Sequence, residues 1–429
     1  MLRFGSLEKM IPLIDIILYS SYFILLFLSI FWLLILFTVD EEEITPVRRS
    51  ELPFFSVIIP AHNEELSIIG TLESVIQLDY PLEKMEIIVV NNASTDNTGL
   101  LVQQFKEKHP TRDIRLVLET EKGKGKAMNR GLRLAQGEFF ACLDADSFIS
   151  KNALQVMLPL FDEEKKVGAV CPLMKVRRPE SVLQKVQWCE YIINMFYRFL
   201  NAKINCIHVT PGPFSIYRTD VIRNLGGYDE KTITEDLEIA VRLQKHNYKI
   251  LHTFDAIVET IAPNTWKKLF RQRVRWYKGS VDNIIHYRQL MFNKKYGDFG
   301  MVRMPTIILS GVMIIILTAA FLQEVLKSIY HSFFALQAVR FDLLTLLKNI
   351  SFEFNLLDLP FFKLFIAATI MGISFFVMVY SYKIINEKIT NYGRTWISLF
   401  TYLSIYSLFI AFVWMYIAII FVTQKKDSW

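Results

Sequence analysis

Long apolar runs alternate with polar sequence along this chain of 429 residues. Four runs stand out, at residues 11–37, 304–321, 361–380 and 396–422. Each run is long enough to cross the hydrocarbon core of a bilayer as a helix. The first run is longer than the core of a signal peptide, and no small-residue cleavage site follows it. We therefore predict four retained membrane helices.

The runs divide the chain into three parts. Residues 1–50 are predicted to form the first membrane helix and a polar linker, which contains the acidic cluster Asp40–Glu43. Residues 51–300 have ordinary globular composition and are predicted to form one domain with helices at the membrane interface. Residues 301–429 are predicted to hold three membrane helices. The amphipathic stretch 332–349 lies between two of them and is expected to be interfacial or re-entrant.

Short apolar segments alternate with amphipathic ones through the globular part. Strands are predicted at 55–59, 86–90, 115–118 and 139–143, with helices between them. Residues 151–178 are expected to complete the sheet. Repeated β-α units of this kind form parallel sheets with helices on their faces. The predicted fold class is therefore α/β, a mostly parallel sheet flanked by helices, with transmembrane helices added.

Three further helices are predicted after this sheet, at 181–204, at 234–246 and from Trp266 onward. The first is rich in aromatic residues, and it is expected either to lie in the membrane interface or to pack on the sheet. Between the first two, residues 210–218 are predicted to form a turn that enters a strand.

Composition and charge narrow the range of ligands. Apolar residues make up 52% of the chain, which is high for a soluble protein. The net charge is +6, and the basic residues cluster near the C-terminal apolar runs. This pattern favours an anionic membrane surface or a phosphate-bearing substrate over duplex nucleic acid. The four cysteines show neither metal-ligand spacing nor a disulfide framework, which is typical of a reducing compartment.

Two aspartates follow the strand predicted at 139–143. Asp144 and Asp146 would be costly in a protein core, because buried charges need a partner. They suit a divalent cation, which takes oxygen ligands and shares its shell with phosphate. In open α/β sheets, ligands bind beyond the carboxyl ends of the strands, where this pair lies. Alone, the three residues are also compatible with a solvated turn.

Three other segments carry candidate chemistry. Lys124 lies between two glycines, so its charge is able to approach a phosphate closely, although such a segment is also typical of a solvated turn. Asp236 begins a predicted helix, where an acidic residue often acts only as a cap. The basic, aromatic segment Gln272–Trp276 is compatible with a membrane-facing surface.

The order of the motifs is more specific than any one of them. Four segments of this chain resemble the N-terminal motifs of a family 2 glycosyltransferase. They are Val57–Glu65, Asn91–Asp96, Lys122–Asn129 and Asp144–Asp146. Thr234–Asp236 resembles the motif that contains the general base in inverting members. Gln272–Trp276 is similar to the Gln-x-x-Arg-Trp motif of cellulose, hyaluronan and poly-N-acetylglucosamine synthases and of glucosylceramide synthases. The resemblance covers residues 54–300 and implies a nucleotide-sugar-binding, GT-A-like domain.

The resemblance also implies roles for individual residues. Asp236 would take the proton from the acceptor hydroxyl as the general base. Asp144 and Asp146 would hold Mg2+ or Mn2+, which stabilises the charge of the departing diphosphate. The residues implied to bind the nucleotide sugar are Pro60, His62, Asn63, Glu64, Asn91, Asn92, Lys124, Asp144 and Arg275. The residues implied to bind the acceptor are Gly212, Glu235, Gln272 and Trp276.

The segment after the second strand departs from the family pattern. Family members usually have an aspartate there to contact the nucleobase, whereas this chain has Asn91 and Asn92. Asparagine accepts a hydrogen bond from a ring N–H, but it also donates one and is uncharged. The resemblance therefore leaves open whether the base is uracil or guanine. His62 has no histidine partner in its motif and is expected to be a loop residue rather than a metal ligand.

The resemblance implies an inverting, metal-dependent hexosyltransferase in a membrane. Its donor would be a nucleotide diphosphate sugar and its acceptor a growing polysaccharide. Four spans are few for a translocation channel. That favours an oligomer, a partner subunit, or the alternative of a single sugar transfer to a lipid such as ceramide, diacylglycerol or polyprenyl phosphate. The complete set of charged motif residues disfavours a non-catalytic protein that only binds nucleotide sugars. No nucleic acid partner is expected.

Charge near the apolar runs predicts the orientation in the membrane. The short loop between the last two runs carries Lys383, Lys388 and Arg394, and basic loops are typical of the cytoplasmic side. We therefore expect a multi-pass protein of the cell membrane, with the domain in the cytoplasm and both termini outside. Lys425 and Lys426 oppose this orientation slightly. The charges that flank the first run do not decide its own orientation.

Overall fold

The structure is a computed structural model, which describes residues 11–38, 51–162, 166–342, 361–393 and 395–423. The predicted linker after the first helix, Arg394, Lys425, Lys426 and residues 343–349 of the amphipathic stretch lie outside the described residues. Within the described residues, a mixed α/β domain adjoins four long apolar helices.

One sheet of eight strands forms the centre of the domain. In chain order the strands are β1 (Phe55–Ala61), β2 (Met85–Asn92), β3 (Asp113–Glu119), β4 (Phe139–Cys142), β5 (Ser147–Ile149), β6 (Val167–Val176), β7 (Ile216–Arg218) and β8 (Lys249–Thr260). Their spatial order is β3-β2-β1-β4-β7-β6-β8-β5. The strands β1 to β4 pair in parallel, as the repeated β-α pattern predicted. The α/β class is therefore confirmed.

The second half of the sheet is mixed, which the sequence pattern did not predict. β7 pairs antiparallel with β4 and β6, and β5 pairs antiparallel with β8. Residues 151–178 contribute β6, but the sheet also contains β8, which was missed. Burial along β8 does not alternate regularly, and its parallel pairing with β6 is interrupted by shifts of register. The period-two pattern that reveals a strand is therefore weak in its sequence.

Helices of the domain cover both faces of the sheet. The described residues contain thirteen α-helices in all. They are α1 (Ile11–Thr38), α2 (Ile68–Ile76), α3 (Thr98–Lys108), α4 (Lys124–Leu134), α5 (Ala153–Met157), α6 (Val182–Lys203), α7 (Thr219–Asn224), α8 (Glu235–Lys245), α9 (Trp266–His286), α10 (Met304–Ala338), α11 (Phe361–Ile384), α12 (Thr395–Thr401) and α13 (Ser407–Thr423). Successive strand residues point to opposite faces. Val57 and Ile59 therefore pack with α2 and α3, whereas Ile58 packs with α4 and α8.

The helix α6 lies between the sheet and the long apolar helices α1 and α11. One part of its buried surface packs on β6, and another part packs on α1 and α11. Trp32 of α1 contacts Tyr197 edge-on, with ring centroids 5.9 Å apart. Tyr382 of α11 donates a hydrogen bond to the Cys189 sulfur at 3.2 Å. α6 thus packs on the sheet, which was one of its two predicted placements, and also contacts the membrane helices.

Four helical segments are long and apolar enough to cross a membrane, Ile16–Thr38, Phe299–Ala338, Phe361–Ile384 and Thr395–Thr423. The second was expected to end near residue 321 but continues to Ala338, because no glycine or proline interrupts its sequence there. The part 332–338 of the amphipathic stretch is therefore a continuation of α10 rather than a separate element. In the fourth segment, a π-helical turn, Tyr402–Tyr406, joins α12 to α13.

The loop between α11 and α12 lies against the domain. Lys175 of β6 forms an ion pair with Glu387 at 2.8 Å. Lys185 of α6 donates a hydrogen bond from its ammonium group to the Gly393 carbonyl, also at 2.8 Å. This loop and the domain therefore lie on the same side of the membrane helices.

Asn129 joins α4 to the segment that precedes α8. Its side chain exchanges two hydrogen bonds with the Tyr228 backbone, at 2.8 and 2.9 Å, and donates a third to Glu230 at 2.8 Å. We predict that Asn129→Ala lowers the free energy of unfolding by about 2 kcal/mol, because buried backbone groups lose their partners. Urea unfolding in detergent measures this change. The control Asn152→Ala removes one exposed bond to the Asp255 carbonyl and should cost about 0.5 kcal/mol or less. Equal losses in both variants would contradict the prediction.

Candidate active site

Three elements bring charged side chains to one edge of the sheet. Asp144 follows β4, Lys124 begins α4, and Glu235 begins α8. The Lys124 ammonium lies 2.6 Å from an Asp144 oxygen and 3.3 Å from a Glu235 oxygen. Burial lowers the pKa of Lys124, but the two carboxylates raise it by more, so the side chain stays charged. Lys124 is therefore held between two acids rather than in a solvated turn.

The segment that carries Lys124 is not a solvated turn, because α4 begins at this residue. Gly123 precedes the helix at φ 144°, a conformation that residues with a side chain rarely adopt. This turn directs the side chain of Lys124, the first residue of the helix, toward the carboxyl end of β4.

The segment before β7 lies against the ion pair of Asp144 and Lys124. A Cβ atom added at Gly212 would lie 3.5 Å from atoms of both partners. Thr210 donates hydrogen bonds from its amide and its hydroxyl to the Asp236 carbonyl, at 3.3 and 2.9 Å. Tyr217 of β7 donates to the Thr210 hydroxyl at 2.8 Å. These bonds fix the first turn of α8 beside the end of β4.

Asp236 lies in that first turn of α8 and lines a cavity. Its Oδ1 accepts a hydrogen bond from the Leu237 amide at 2.9 Å. Burial raises the pKa of Asp236 to about 6, and repulsion by Glu235 adds to the shift, while Lys124 and Arg275 oppose it. Near neutral pH the carboxylate is therefore largely ionised and still basic enough to accept a proton.

Asp146 lies in a crowded acidic environment. Burial raises its pKa to about 6, and the charges of Asp144 and Glu64 add to the shift. The Ser147 hydroxyl donates a hydrogen bond to it at 3.2 Å. Such repulsion is relieved by a divalent cation, and carboxylate oxygens are the ligands that Mg2+ prefers. Asp144 and Asp146 therefore fit a metal ion. The described residues contain no cluster of three or more acidic, histidine or cysteine ligands, so phosphate and water would complete the shell.

A cavity of about 840 Å³ connects these groups with α9 and α10. The predicted site residues in its lining are Lys124, Asp144, Asp146, Gly212, Glu235, Asp236, Gln272, Arg275 and Trp276. Arg275 influences the pKa of both Lys124 and Asp236, so its charge lies close to theirs. The structure therefore brings together residues that are far apart in sequence.

The other predicted donor residues lie beside this cavity, at and just beyond the carboxyl ends of β1 and β2. They are Pro60, His62, Asn63, Glu64, Asn91 and Asn92, and none lines the cavity itself. Glu64 is close enough to raise the pKa of Asp146, so this group adjoins the acidic pair. The two groups form neighbouring parts of one edge of the sheet.

Hydrogen bonds within the loops occupy five of these six side chains, and those of Asn92 and His62 bear on the turn before Lys124. Asn92 Oδ1 accepts from the Gly123 amide at 2.9 Å, and its Nδ2 donates to the Glu121 carbonyl at 2.7 Å. His62 Nδ1 lies 2.7 Å from the Asn92 carbonyl, so this nitrogen carries the proton. Asn92 thereby holds the turn that precedes Lys124. Its contact with a nucleobase stays a prediction.

The two arginines of Gln272–Trp276 lie on different sides of α9, because positions two apart on a helix differ by roughly 200°. Arg275 is exposed to the cavity, whereas Arg273 is completely buried. Arg273 forms an ion pair with Glu190 of α6 and donates a hydrogen bond to the Tyr406 hydroxyl at 3.0 Å. Sequence analysis missed these three residues. The one available signal was the position of Arg273 within the apolar stripe of α9, and its partners are remote in sequence.

Three more basic residues in the cavity lining were also missed, Arg198, His208 and Arg303. The Arg303 guanidinium lies against the His208 ring, with nitrogen–nitrogen distances of 3.0 and 3.2 Å, and it donates a hydrogen bond to the one ring nitrogen that carries no proton. Burial lowers the pKa of His208 well below its usual value, and the two arginines add to the shift. His208 is therefore neutral. These residues come from α6, from the segment before β7 and from the turn before α10, and no motif includes them.

The far end of the cavity is apolar. The aliphatic residues that line it from α9 and α10 include Val281, Ile284, Ile285, Ile307, Ile308, Val312 and Ile315. Trp414 of α13 packs on Gly311, where an added Cβ atom would lie 2.8 Å from the indole ring. Ile285 and Ile308 in this lining are exposed to solvent. The cavity therefore runs from the charged edge of the sheet to an apolar wall beside the membrane helices.

A family model described as Glycosyl transferase family 2 matches residues 56–226. The match begins in β1 and ends just after α7. It includes Lys124, Asp144, Asp146 and Gly212, but it ends before Asp236 and before α9.

Curated relatives extend the similarity. The poly-beta-1,6-N-acetyl-D-glucosamine synthase of Staphylococcus epidermidis is 31% identical over 271 residues, which are 61% of this chain and 64% of the relative. The probable glycosyltransferase YdaM of Bacillus subtilis is 32% identical over 275 residues, 59% of this chain and 62% of the relative. The alignments thus span less than two thirds of the length of these relatives.

A solved structure shares the fold. The mannosyltransferase PcManGT from Pyrobaculum calidifontis, in complex with GDP-Man and Mn2+, superposes with a TM-score of 0.54 at 24% identity. The superposition covers 66% of this chain and 76% of that one. Together, the matched sequence, the shared fold and the relatives confirm the resemblance found in the motifs. Residues 56–226 therefore form a glycosyl transferase family 2 domain.

Proposed function

We propose that the protein transfers a sugar from a nucleotide diphosphate sugar to a growing polysaccharide, with inversion at the anomeric carbon. The observation that carries this proposal is the convergence of Asp144, Asp146, Asp236 and Arg275 on one cavity. These side chains supply oxygen ligands for a metal ion, a general base and a cation. Displacement of the nucleotide from the anomeric carbon of a sugar requires groups of these three kinds. The similarity to a poly-beta-1,6-N-acetyl-D-glucosamine synthase supports a polymeric product.

The donor would bind along the carboxyl ends of the strands. Lys124 and Arg275 would contact its diphosphate as cations, and the loops after β1 and β2 would hold the nucleoside. Asp144 and Asp146 would hold Mg2+ or Mn2+, and the bound ion would offset the negative charge of the leaving diphosphate. Gly212 keeps the backbone close to Asp144 without a side chain that would narrow this part of the cavity. The proposal leaves the nucleobase open.

Asp236 would act as the general base on the acceptor hydroxyl. Its raised pKa matches that task, and the bonds from Thr210 to its carbonyl hold it in place beside the end of β4. The acceptor would lie against Gln272 and Trp276, with Glu235 at the boundary to the donor. An indole ring face suits the apolar face of a sugar ring.

Transfer of a single sugar to a membrane lipid is the second candidate function. The apolar end of the cavity favours it, because aliphatic side chains such as Ile285 and Ile308 match a hydrocarbon chain better than a sugar polymer. Arg198 and Arg303 in the same lining would suit a phosphate headgroup. Ceramide, diacylglycerol and polyprenyl phosphate are the lipid classes considered.

The protein would cross the cell membrane several times, with its domain in the cytoplasm. The loop between α11 and α12 contacts the domain, so both share one side of the membrane helices. Lys383 and Lys388, at this end of the two helices, favour the cytoplasmic side. Export of a polymer would call for an oligomer or a partner subunit, since the four candidate spans of the described residues are few for a channel.

The product distinguishes the two acceptors. The purified protein in lipid, supplied with Mn2+ or Mg2+ and a panel of labelled UDP- and GDP-sugars, is expected to place label in high-molecular-weight material that a glycosidase degrades. Label confined to the organic extract would establish the lipid acceptor instead. Asp236→Asn should lose about 100-fold or more of the transfer activity, because no base remains. Consumption of none of these donors by the unaltered protein would contradict both functions.

The pH dependence should report Asp236. Its pKa of about 6 means that the carboxylate is protonated below that pH and no longer accepts a proton, so kcat/KM should fall there. Glu235→Gln is expected to move this acidic limb to lower pH, because Glu235 raises the pKa of Asp236. Saturating Mn2+ keeps Asp146 ionised during the measurement. The exposed change Glu107→Gln on α3 is the control, and a limb that moves equally in both variants, or in neither, argues against Asp236 as the base.

Asp146→Asn tests the metal site. It is expected to raise by about tenfold or more the Mn2+ concentration needed for half-maximal activity, because one of two carboxylate ligands is lost. Calorimetric titration of the protein with Mn2+ should show the same loss of affinity without any substrate. Asp255→Asn, at an exposed carboxylate of β8, is the matched control. Equal Mn2+ affinity of the two variants would exclude Asp146 as a ligand.

A further inference from the structure

A buried ion pair between α6 and α9 lies behind the acceptor end of the cavity. Arg273 is completely buried and pairs with Glu190, which is 6% exposed. The Tyr406 hydroxyl accepts a hydrogen bond from Arg273 Nε at 3.0 Å and donates one to Glu190 at 2.8 Å. Each of the three side chains is therefore bonded to the other two. A buried charge is tolerated only with such compensation, which makes the geometry of this cluster well defined.

Two further contacts connect Arg273 to the predicted acceptor residues. Its Nη1 donates a hydrogen bond to Gln272 Oε1 at 2.6 Å. Its guanidinium carbon lies 4.2 Å from the centre of the Trp276 ring, which is the geometry of a cation–π contact. Because the Gln272 oxygen is held, its NH2 group is left as the donor toward the cavity. Arg273 thus covers one face of Trp276, whose indole also lines the cavity.

The hydroxyl that completes this cluster comes from a membrane helix. Tyr406 ends the π-helical turn Tyr402–Tyr406 between α12 and α13. Turns of this kind insert an extra residue into a helix and occur often at functional sites. Tyr406 is 3% exposed, whereas Leu403 and Ile405 in the same turn are 59% and 52% exposed. The turn thus directs one polar group of an apolar helix into the interior of the protein.

We propose that Arg273, fixed by Glu190 and Tyr406, is a positioning residue that sets the orientation of Gln272 and Trp276 for the acceptor. The last membrane helix is then part of the acceptor site and not only an anchor. This inference rests on the sugar transfer proposed above. Loss of the cluster should affect the acceptor selectively. It should misplace the acceptor, while the donor-binding groups at Asp144 and Arg275 stay intact.

The balance between transfer and hydrolysis of the donor measures this consequence. Water competes with the acceptor for the sugar, so a misplaced acceptor lowers the yield of glycosylated product but not the yield of free sugar. Both yields come from one reaction of the full-length protein in lipid with the labelled donor that it consumes fastest. The ratio needs no prior identification of the acceptor.

Tyr406→Phe is the first variant, because it removes one hydroxyl and leaves the ion pair of Arg273 and Glu190 intact. We expect the ratio of transfer to hydrolysis to fall about tenfold, with the KM for the donor changed by less than about twofold. Tyr402→Phe is the matched control. Its ring stacks on Tyr406 with centroids 5.8 Å apart, and it should keep the original ratio.

Arg273→Lys is the second variant. It keeps the charge beside Glu190 but lacks the planar fork that bonds Gln272 and Tyr406 at once, so it should lower the ratio as well. An unchanged ratio in Tyr406→Phe, with active unaltered protein, overturns this inference and leaves the proposed function standing. Transfer and hydrolysis that fall in equal proportion also overturn it, because a purely structural role predicts that result. If the unaltered protein consumes no donor, the proposed function fails and the inference fails with it.

Discussion

Compensation of buried charge is the constraint on which the site depends. At the edge of the sheet, the Lys124 ammonium lies between Asp144 and Glu235. Behind α9, Arg273 lies between Glu190 and Tyr406. Each cation joins elements that are remote in sequence, because a charge in a poorly solvated place needs a partner. The same arrangement that satisfies the charges also fixes the distances between the groups that would bind donor and acceptor.

The acidic side chains of the site show how this constraint changes acid–base properties. Burial and mutual repulsion raise the pKa values of Asp146 and Asp236 to about 6. One carboxylate lies in an acidic group that a divalent cation would stabilise, and the other is balanced by nearby cations. Similar shifts would thus serve the two different roles proposed for these carboxylates, depending on whether the neighbouring groups are acids or bases. The fold supplies this difference by ending β4 and beginning α8 at the same edge of the sheet.

The membrane helices and the domain share their packing. The helix α6 contacts β6 on one part of its surface and α1 and α11 on another, and the loop after α11 is bonded to Lys175 and Lys185. The cavity crosses the same boundary, from charged groups at the sheet to aliphatic side chains of α10. An acceptor that enters from the membrane side would therefore meet the base without leaving the protein. This continuity accounts for the two candidate acceptors, a polymer and a lipid.

The sequence by itself determined the elements with strong local patterns. The strands β1 to β4 and the four long apolar helices of the described residues were predicted, because periodicity and hydropathy depend on neighbouring residues. The family resemblance rested on the order of the motifs around Asp144, Asp236 and Arg275, which are local as well. The antiparallel pairings in the second half of the sheet and the strand β8 were not predicted, since pairing partners depend on the folded chain and β8 lacks a regular pattern. The cluster of Arg273 with Glu190 and Tyr406 was not predicted either, because its three members are remote in sequence. Only tertiary structure decides which distant side chains share a buried charge.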